Sequence, residues 1–226
     1  MQELLTKWFP HVMEQPGEFF DSIRETLIMT GWAGGLMLIF GLILGVAVVV
    51  TKEEGILECK PLYHVLDKVI NLVRSVPFVI LIALLMNVTR AIMGTRIGVR
   101  GVIVPLVAGS VPFFARQVES ALAGVNSGLV EAAKSMGCRP AGIILRVYLR
   151  EGAAAIARGA TITLISLIGL TAMAGYVGAG GLGDYAIVYG YNYNRMDIVW
   201  AAVIVIVIIV TAVQAIGSWI ARKSTH

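Results

Sequence analysis

The chain has 226 residues, of which 58% are hydrophobic and only 14% are charged. Its mean hydropathy of +0.83 excludes an ordinary water-soluble protein, because a core of this size cannot bury that much apolar surface. The composition therefore predicts an all-α integral membrane protein.

The first 26 residues are predicted to form an extracytoplasmic segment. They contain Lys7, Arg24 and five acidic residues, without the apolar core and small-residue cleavage site of a signal peptide. The apolar stretch that follows is therefore expected to remain in the protein as a transmembrane helix.

Five stretches of the remaining chain are predicted to cross the bilayer. Residues 26–51, 159–183 and 198–221 contain no charged side chain, and each stretch reaches the roughly 20 residues that a crossing helix needs. Two further charge-free windows, 75–89 and 101–115, are shorter and must borrow flanking residues. The predicted spans cover residues 27–50, 65–88, 99–118, 153–174 and 198–220.

Proline interrupts the two short spans at Pro77, Pro105 and Pro112. Paired broken helices are typical of a solute pathway in transporters, because freed carbonyl groups can line a polar path. The alternative is a simple kink, repaired by neighbours such as Ser75. Met173 in the fourth span either closes the pathway or packs as most membrane methionines do. The candidate pathway and gate residues are Ser75, Pro77, Pro112, Thr171 and Met173.

The longest interior loop, residues 119–152, contains a predicted short helix. Asn126 offers helix-start chemistry, and Gly137 stops the helix. Glu131 lies in the first turn, where a carboxylate suits the positive end of the helix dipole. Helical spacing then predicts one apolar face, formed by Leu129, Ala132, Ala133 and Met136.

A second amphipathic stretch, residues 141–149, follows Pro140 and places apolar side chains beside Arg146 and Arg150. The two stretches are typical of an interfacial helix pair that lies on lipid. The residues alone favour a docking surface for another protein equally well, and both interpretations stay open at this point.

Glycine marks two places of close approach. Gly178, Gly180 and Gly183 match the G-x-G-x-x-G pattern, but a long apolar span precedes them where dinucleotide-binding proteins have a short strand. They instead predict a backbone that bends sharply or is closely approached by a partner. Gly41 and Gly45 predict close helix packing in the first span.

The Lys and Arg residues predict an N-out, C-in orientation. With the amino terminus outside, twelve of the 18 basic residues lie on the cytoplasmic side, and this explains the net charge of +4 without a nucleic-acid partner. The loop 119–152 is then cytoplasmic. Residues 27–221 form the five-span domain, and residues 222–226 form a cytoplasmic tail.

No catalytic or metal site is predicted. Cys59 and Cys138 lie far apart in polar loops, and the three histidines, His11, His64 and His226, are expected to be solvated loop residues. The P-loop pattern G-x-x-x-x-G-K-[ST] is absent, so we do not expect this chain to bind ATP through a P-loop.

Several motifs together resemble the permeases of ABC importers. Glu131-Ala132-Ala133, with Gly137 at the family's spacing, is similar to the EAA loop of these permeases, although Arg150 stands where the family usually has proline. The resemblance implies a type I ABC-importer permease fold, in which the loop forms a coupling helix that docks on a separate ATPase. The implied coupling residues are Leu129, Glu131, Ala132, Ala133, Met136 and Gly137.

Residues 71–78, 89–94, 160–165 and 177–183 narrow the resemblance to the methionine-importer permeases. This likeness implies methionine, including D-methionine or related amino acids, as the solute. It also implies a homodimer, embedded in the lipid of a bacterial cytoplasmic membrane. The implied partners are two ABC ATPase subunits, which carry ATP and Mg, and an extracytoplasmic methionine-binding protein such as a lipoprotein. No cofactor is expected in this chain.

A secondary amino-acid transporter or small channel without an ATPase is the alternative. Coupling ions usually require acidic residues inside the membrane. The centres of the predicted spans contain none, because Asp67 and Glu119 lie towards helix ends. The residues therefore favour the ATP-driven importer.

Overall fold

The computed structural model describes residues 8–224, and every regular element in that range is helical. Lys7 and His226 lie outside the described residues. Two π-helical segments, Ile144–Tyr148 and Tyr185–Gly190, and a 3₁₀ turn, Tyr191–Tyr193, join the α-helices. The α-helices are α1 (Pro10–Glu14), α2 (Pro16–Thr51), α3 (Lys60–Ser75), α4 (Phe78–Met93), α5 (Gly98–Ala123), α6 (Ser127–Ser135), α7 (Pro140–Ile143), α8 (Leu149–Glu151), α9 (Ala153–Gly175), α10 (Gly181–Asp184) and α11 (Met196–Lys223).

Four helices, α2, α5, α9 and α11, are long and apolar enough to cross a membrane. They confirm the first, third, fourth and fifth predicted spans. Helix α2 begins at Pro16, eleven residues before the predicted start, so the expected boundary between residues 26 and 27 lies inside a helix. The charged residues before Leu27 are compatible with this helix because it is longer than the bilayer requires.

The second predicted span, residues 65–88, is not one continuous helix. Helix α3 ends at Ser75, Val76 is extended with φ −84° and ψ 122°, and α4 begins at Phe78. Pro77 causes this break, because its ring excludes a helical conformation at the preceding residue and it lacks a backbone N–H. The interruption is confirmed at Pro77. It is wrong at Pro105 and Pro112, because α5 runs without a break through both prolines. Within residues 8–224 the spans number four, or five if α3 and α4 together form one broken span.

The chain divides into two compact units. The first unit has an apolar cluster in which Val12, Tyr185 and Ile198 are buried. The second unit has one cluster around Val48 and Ile70 and another cluster in the loop region. The first unit comprises Met1–Gly35, Pro77–Val107 and Leu164–Val213, and the second comprises Leu36–Val76, Ala108–Thr163 and Gln214–His226.

Two hydrogen-bond contacts between His11 and Asp197 join the amino-terminal helix α1 to the start of α11 within the first unit. His11 Nδ1 lies 2.9 Å from Asp197 Oδ1, and the His11 backbone N–H donates to Asp197 Oδ2 over 3.0 Å. The expectation that His11 is a solvated loop residue is therefore wrong. The two residues are 186 positions apart, so no local pattern could have revealed the contact.

Close helix packing in the second unit depends on glycine. A Cβ at Gly45 would lie 2.6 Å from Val118 Cβ and 2.7 Å from the Ala115 carbonyl oxygen, and a Cβ at Gly41 would lie 2.6 Å from Phe114 Cδ1. The absence of a side chain thus lets α2 contact α5 directly, which confirms the packing role predicted for Gly41 and Gly45.

Candidate functional site

Helix α6, the short helix of the loop, has well-defined ends. Asn126 Oδ1 accepts a hydrogen bond of 2.8 Å from the Gly128 N–H, as an N-cap residue does. At the other end Gly137 has φ +74°, its N–H donates to the Lys134 carbonyl, and the Cys138 N–H donates to the Ala133 carbonyl over 3.1 Å. These bonds form a Schellman motif, and the predicted cap at Asn126 and stop at Gly137 are confirmed. The placement of Glu131 in the first turn is wrong, because α6 already begins at Ser127 and Glu131 lies in its second turn.

The predicted apolar face of α6 is divided in the structure. Ala133 is buried together with Val130 and Ile143, whereas Leu129 is 46% exposed and Met136 is 75% exposed. Glu131 and Ala132 are also exposed. The helix therefore rests on its own chain through Val130 and Ala133, and Ala133 does not belong to the free apolar surface.

The predicted second amphipathic stretch follows as α7, a π-helical segment and α8. Ile143 is buried against α6, and burial raises the pKa of the Tyr148 phenol above its ordinary value. Single π-helical segments occur frequently at functional sites. Arg150 is exposed within α8, and the backbone stays helical through Gly152, with φ −78° and ψ −7°. Arginine instead of proline is thus compatible with a helical exit from the loop.

A charged cluster joins α3 to α5, and the sequence analysis missed it. Arg116 donates through Nη1 to Glu119 Oε2 over 2.6 Å and through Nη2 to Asn71 Oδ1 over 2.9 Å. Nη2 also donates to Asp67. The three charged side chains are between 20% and 30% exposed. Their presence near the ends of two predicted spans was the available signal, because charges there require partners.

The candidate pathway hydroxyls are satisfied within their own helices. Ser75 donates to the Asn71 carbonyl over 2.8 Å, and Thr171, only 2% exposed, donates to the Ile168 carbonyl over 2.7 Å. Pro112 is buried, whereas Pro77 is exposed at the start of α4. The hydroxyl groups of Ser75 and Thr171 therefore hydrogen-bond to backbone carbonyls of their own helices, as the kink interpretation expects.

Met173 belongs to an exposed row along the single helix α9. The row repeats every three or four residues, as one face of a helix does. It contains an arginine, a serine and a glycine, which a face exposed only to lipid rarely combines. Such a row is typical of a surface that faces a polar path. Its members are Arg158, Ile162, Ser166, Gly169 and Met173.

The glycine-rich segment after α9 makes the close approach that its sequence predicts. Gly178, Gly180 and Gly181 have positive φ angles of 76°, 80° and 82°. Glu25 Oε2 accepts a 2.7 Å hydrogen bond from the Gly181 N–H, and a Cβ at Gly180 would lie 2.3 Å from the same oxygen. Because a carboxylate of the chain occupies this position, the glycine backbone is not open to a phosphate.

Further hydrogen bonds within the first unit hold the glycine-rich segment against α2 and against the start of α5. Thr26 Oγ1 accepts from the Leu182 N–H over 2.9 Å, and the Gly178 carbonyl accepts from the Gly98 N–H over 3.0 Å. Burial, followed by the charge of Glu25, raises the pKa of the Asp184 carboxyl above its usual range. The first unit thus places a glycine backbone with positive φ angles against α2.

Within residues 8–224 no group of three or more His, Cys, Asp or Glu side chains is arranged to hold a metal ion. Cys59 and Cys138 are free thiols, and both are exposed.

Comparison with known families identifies the class of protein. Residues 37–226 match the family described as "Binding-protein-dependent transport system inner membrane component". The chain belongs to this family. It is therefore a helical multi-pass component of the bacterial inner membrane and has the type I ABC-importer permease fold.

Two named relatives align with nearly the whole length of this chain. The chain is 45% identical over 202 residues to a probable D-methionine transport system permease protein of Vibrio cholerae, covering 89% of this chain and 90% of that protein. It is 41% identical over 217 residues to the methionine import system permease protein of Bacillus subtilis, covering 96% and 97% of the two chains.

Solved structures agree with these relatives. An inward-facing structure of the MetNI methionine ABC transporter matches with a TM-score of 0.91 and 38% identity, covering 94% of this chain and 99% of that chain. An amino acid ABC transporter crystallised with histidines has the same fold, with a TM-score of 0.78 and 17% identity over 95% of this chain and 98% of that chain.

Proposed function

We propose that this chain is the permease subunit of an ATP-driven importer of methionine, with D-methionine and related amino acids as further candidate solutes. The observation that carries the proposal is the likeness along nearly the full length to permeases named for methionine transport. The structural match to a chain of the MetNI methionine transporter, with a TM-score of 0.91 and 38% identity, supports it further.

Two copies of the chain form the pathway, and each copy engages one cytoplasmic ABC ATPase that binds ATP and Mg. Helix α6 is the coupling helix. Its exposed residues Leu129, Ala132 and Met136, beside Glu131, contact the ATPase. Ala133 lies on the opposite, buried surface of α6. Because it packs on Ile143, it transmits the motion of α6 to the rest of the permease. Gly137 fixes the direction in which the chain leaves the helix.

An extracytoplasmic methionine-binding protein delivers the solute, and the amino terminus of the permease faces the same compartment. The distribution of basic residues supports this orientation, since twelve of 18 are then cytoplasmic. The exposed row of α9 lines the pathway, with Met173 as its closing residue. Ser75 and Pro77 shape the break between α3 and α4, and Pro112 and Thr171 adjust the continuous helices α5 and α9, so that the pathway can change width.

Methionine uptake into proteoliposomes tests the proposal. The permease is reconstituted with its ATPase, and radiolabelled methionine, the binding protein and Mg-ATP are placed on their respective sides. We expect uptake that requires ATP and stops when the P-loop lysine of the ATPase is replaced. Uptake driven by an ion gradient without ATP would instead assign the chain to the secondary transporters.

A further inference from the structure

A cavity of about 640 Å³ opens within the second unit, where the end of α5, the start of α6 and the first turns of α9 meet. Its volume lies in the range of about 300–1,000 Å³ that is usual for small-molecule sites. Polar groups of three kinds converge on it. They are the charged side chains of Arg158 and Glu151, the amides of Gln117 and Asn126, and the hydroxyl of Ser120.

The two charges in the cavity have no partner in the described part of the chain. Neither Arg158 nor Glu151 makes an ion pair or a side-chain hydrogen bond there, whereas Arg116 on the adjoining helix makes three such bonds. Both residues are exposed, so a ligand in the cavity can reach the two opposite charges without displacing a partner of the chain.

The spacing of the two charges suits one small ligand. Glu151 and Arg158 are seven residues apart along a backbone that stays helical at Gly152, so they lie on one side of the helix, about 10.5 Å apart along its axis. This separation exceeds the i, i+4 spacing of helical ion pairs. A ligand that carries an anion and a cation close together fits between the two side-chain ends.

The walls of the cavity add an apolar surface and a rigid frame. Ala121, Val125 and Ala155 line it without polar side chains. A Cβ at Gly159 would lie 2.8 Å from Gln117 Cβ, so α9 and α5 are in direct contact at the cavity. An unbranched apolar side chain can therefore pack against small residues while the polar ends of the ligand meet the two charges.

We infer that this cavity binds a zwitterionic α-amino acid, with its carboxylate at Arg158 and its ammonium group at Glu151. The guanidinium fork matches a carboxylate with two parallel hydrogen bonds, and Glu151 repels phosphate and other simple anions. The inference rests on the proposed function for the identity of the amino acid, methionine. It places a solute site at the end of the exposed α9 row that carries Arg158.

Thiol protection in the assembled complex tests this site locally. Cys59 and Cys138 are replaced by serine, Ala155→Cys places a thiol on the cavity wall, and the complex with the ATPase is labelled with a maleimide in nanodiscs. Ala121→Cys is the second probe position if the first variant does not assemble. We expect methionine to slow labelling, while methionine amide and N-acetylmethionine at equal concentration do not, because each lacks one of the two charges.

Removal of each charge should abolish the ligand preference that depends on that charge. Arg158→Gln should weaken protection by methionine roughly tenfold, because the glutamine amide can keep one of the two hydrogen bonds but lacks the charge, and it should abolish the preference for methionine over methionine amide. Glu151→Gln should abolish the preference for methionine over N-acetylmethionine. Arg222→Gln, an exposed arginine at the end of α11, is the matched control and should change neither preference.

Equal labelling with and without methionine at both probe positions, or analogue preferences that both variants leave unchanged, would overturn the site. Protection is measured in nanodiscs without ATP hydrolysis, whereas the same purified complexes in proteoliposomes report uptake, which measures the proposed function. Uptake without protection rejects the cavity site alone. Protection without uptake supports the site and rejects the importer.

Discussion

Individual residues determine much of the local behaviour in this permease, and Asp184 is a measurable example. Its carboxyl lies in the segment between α9 and α11, where burial and then the charge of Glu25 raise its pKa. The pKa of an Asp carboxyl in the unfolded chain is about 3.9. Because the pKa is raised in the folded state, ionisation of Asp184 lowers the stability of the fold at pH values above about 3.9. The stability of the parent should therefore rise as the pH falls through the raised pKa.

Asp184→Asn should remove this pH dependence and make the complex more stable than the parent at pH 8. Thermal unfolding of the detergent-purified complex between pH 5 and pH 8 measures the effect. Asp21→Asn replaces an exposed carboxyl in the same unit and serves as the control. A variant with the same pH profile as the parent would show that Asp184 is stabilised by contacts other than those described.

Met173 allows a second test at the scale of one residue. Its side chain is 43% exposed, so Met173→Ala should remove a closing group from the pathway with little loss of core packing. We expect higher passive methionine flux through the complex when the ATPase is inactive. Met37→Ala is the control, because Met37 is fully buried and its loss should lower stability by about 2–5 kcal/mol without raising the leak. Parental flux in Met173→Ala would leave Met173 without a gating role.

At the scale of the helix, α6 has two surfaces that mutations can separate. Met136→Asp changes the exposed surface, so it should leave folding intact and weaken ATPase association and ATP-driven uptake. Ala133→Asp introduces a carboxylate among Val130 and Ile143, where an unpaired buried charge costs roughly 3–5 kcal/mol. Yield and thermal stability of the permease, measured beside co-purification of the ATPase, distinguish the two effects. Identical losses of stability in both variants would contradict the division of α6.

The sequence predicts elements better than contacts, for physical reasons. Charge-free stretches reveal α2, α5, α9 and α11, because lipid and protein interior both demand apolar side chains. The ends of α6 are predictable since Asn126 and Gly137 act through the local backbone. The buried side of α6 is not predictable, because Leu129, Val130, Ala132 and Ala133 form one wide apolar face and periodicity cannot show which part of it is buried.

Contacts between distant residues were the main omission. The Arg116 cluster joins positions 49 residues apart, and the pair of His11 and Asp197 joins positions 186 residues apart. Composition shows only that such charges need partners, and many pairings satisfy that need. The cavity that contains Arg158 was missed for the same reason, because it forms only when three helices meet.

For the whole molecule, the orientation across the membrane is the most general prediction. Both natural cysteines are exposed, and both lie on the cytoplasmic side of the N-out orientation. In intact cells Cys59 and Cys138 should therefore resist an impermeant maleimide and react after permeabilisation. Asn192→Cys, in the exposed segment before α11, should react from outside. Labelling of Cys138 in intact cells would reverse the orientation and remove the coupling role of α6.

Substitution of Gly217 allows the packing of the last span, α11, against α9 to be tested genetically. A Cβ at this position would lie 1.9 Å from Thr161 Oγ1, 2.8 Å from its Cγ2 and 2.9 Å from its Cβ, so even the methyl group of alanine acts as a wedge between α11 and α9. Thr161→Ala deletes the two outer atoms and relieves most of the overlap. Gly217→Ala should thus be a loss-of-function allele, and a search for revertants should recover substitutions at Thr161 as allele-specific suppressors.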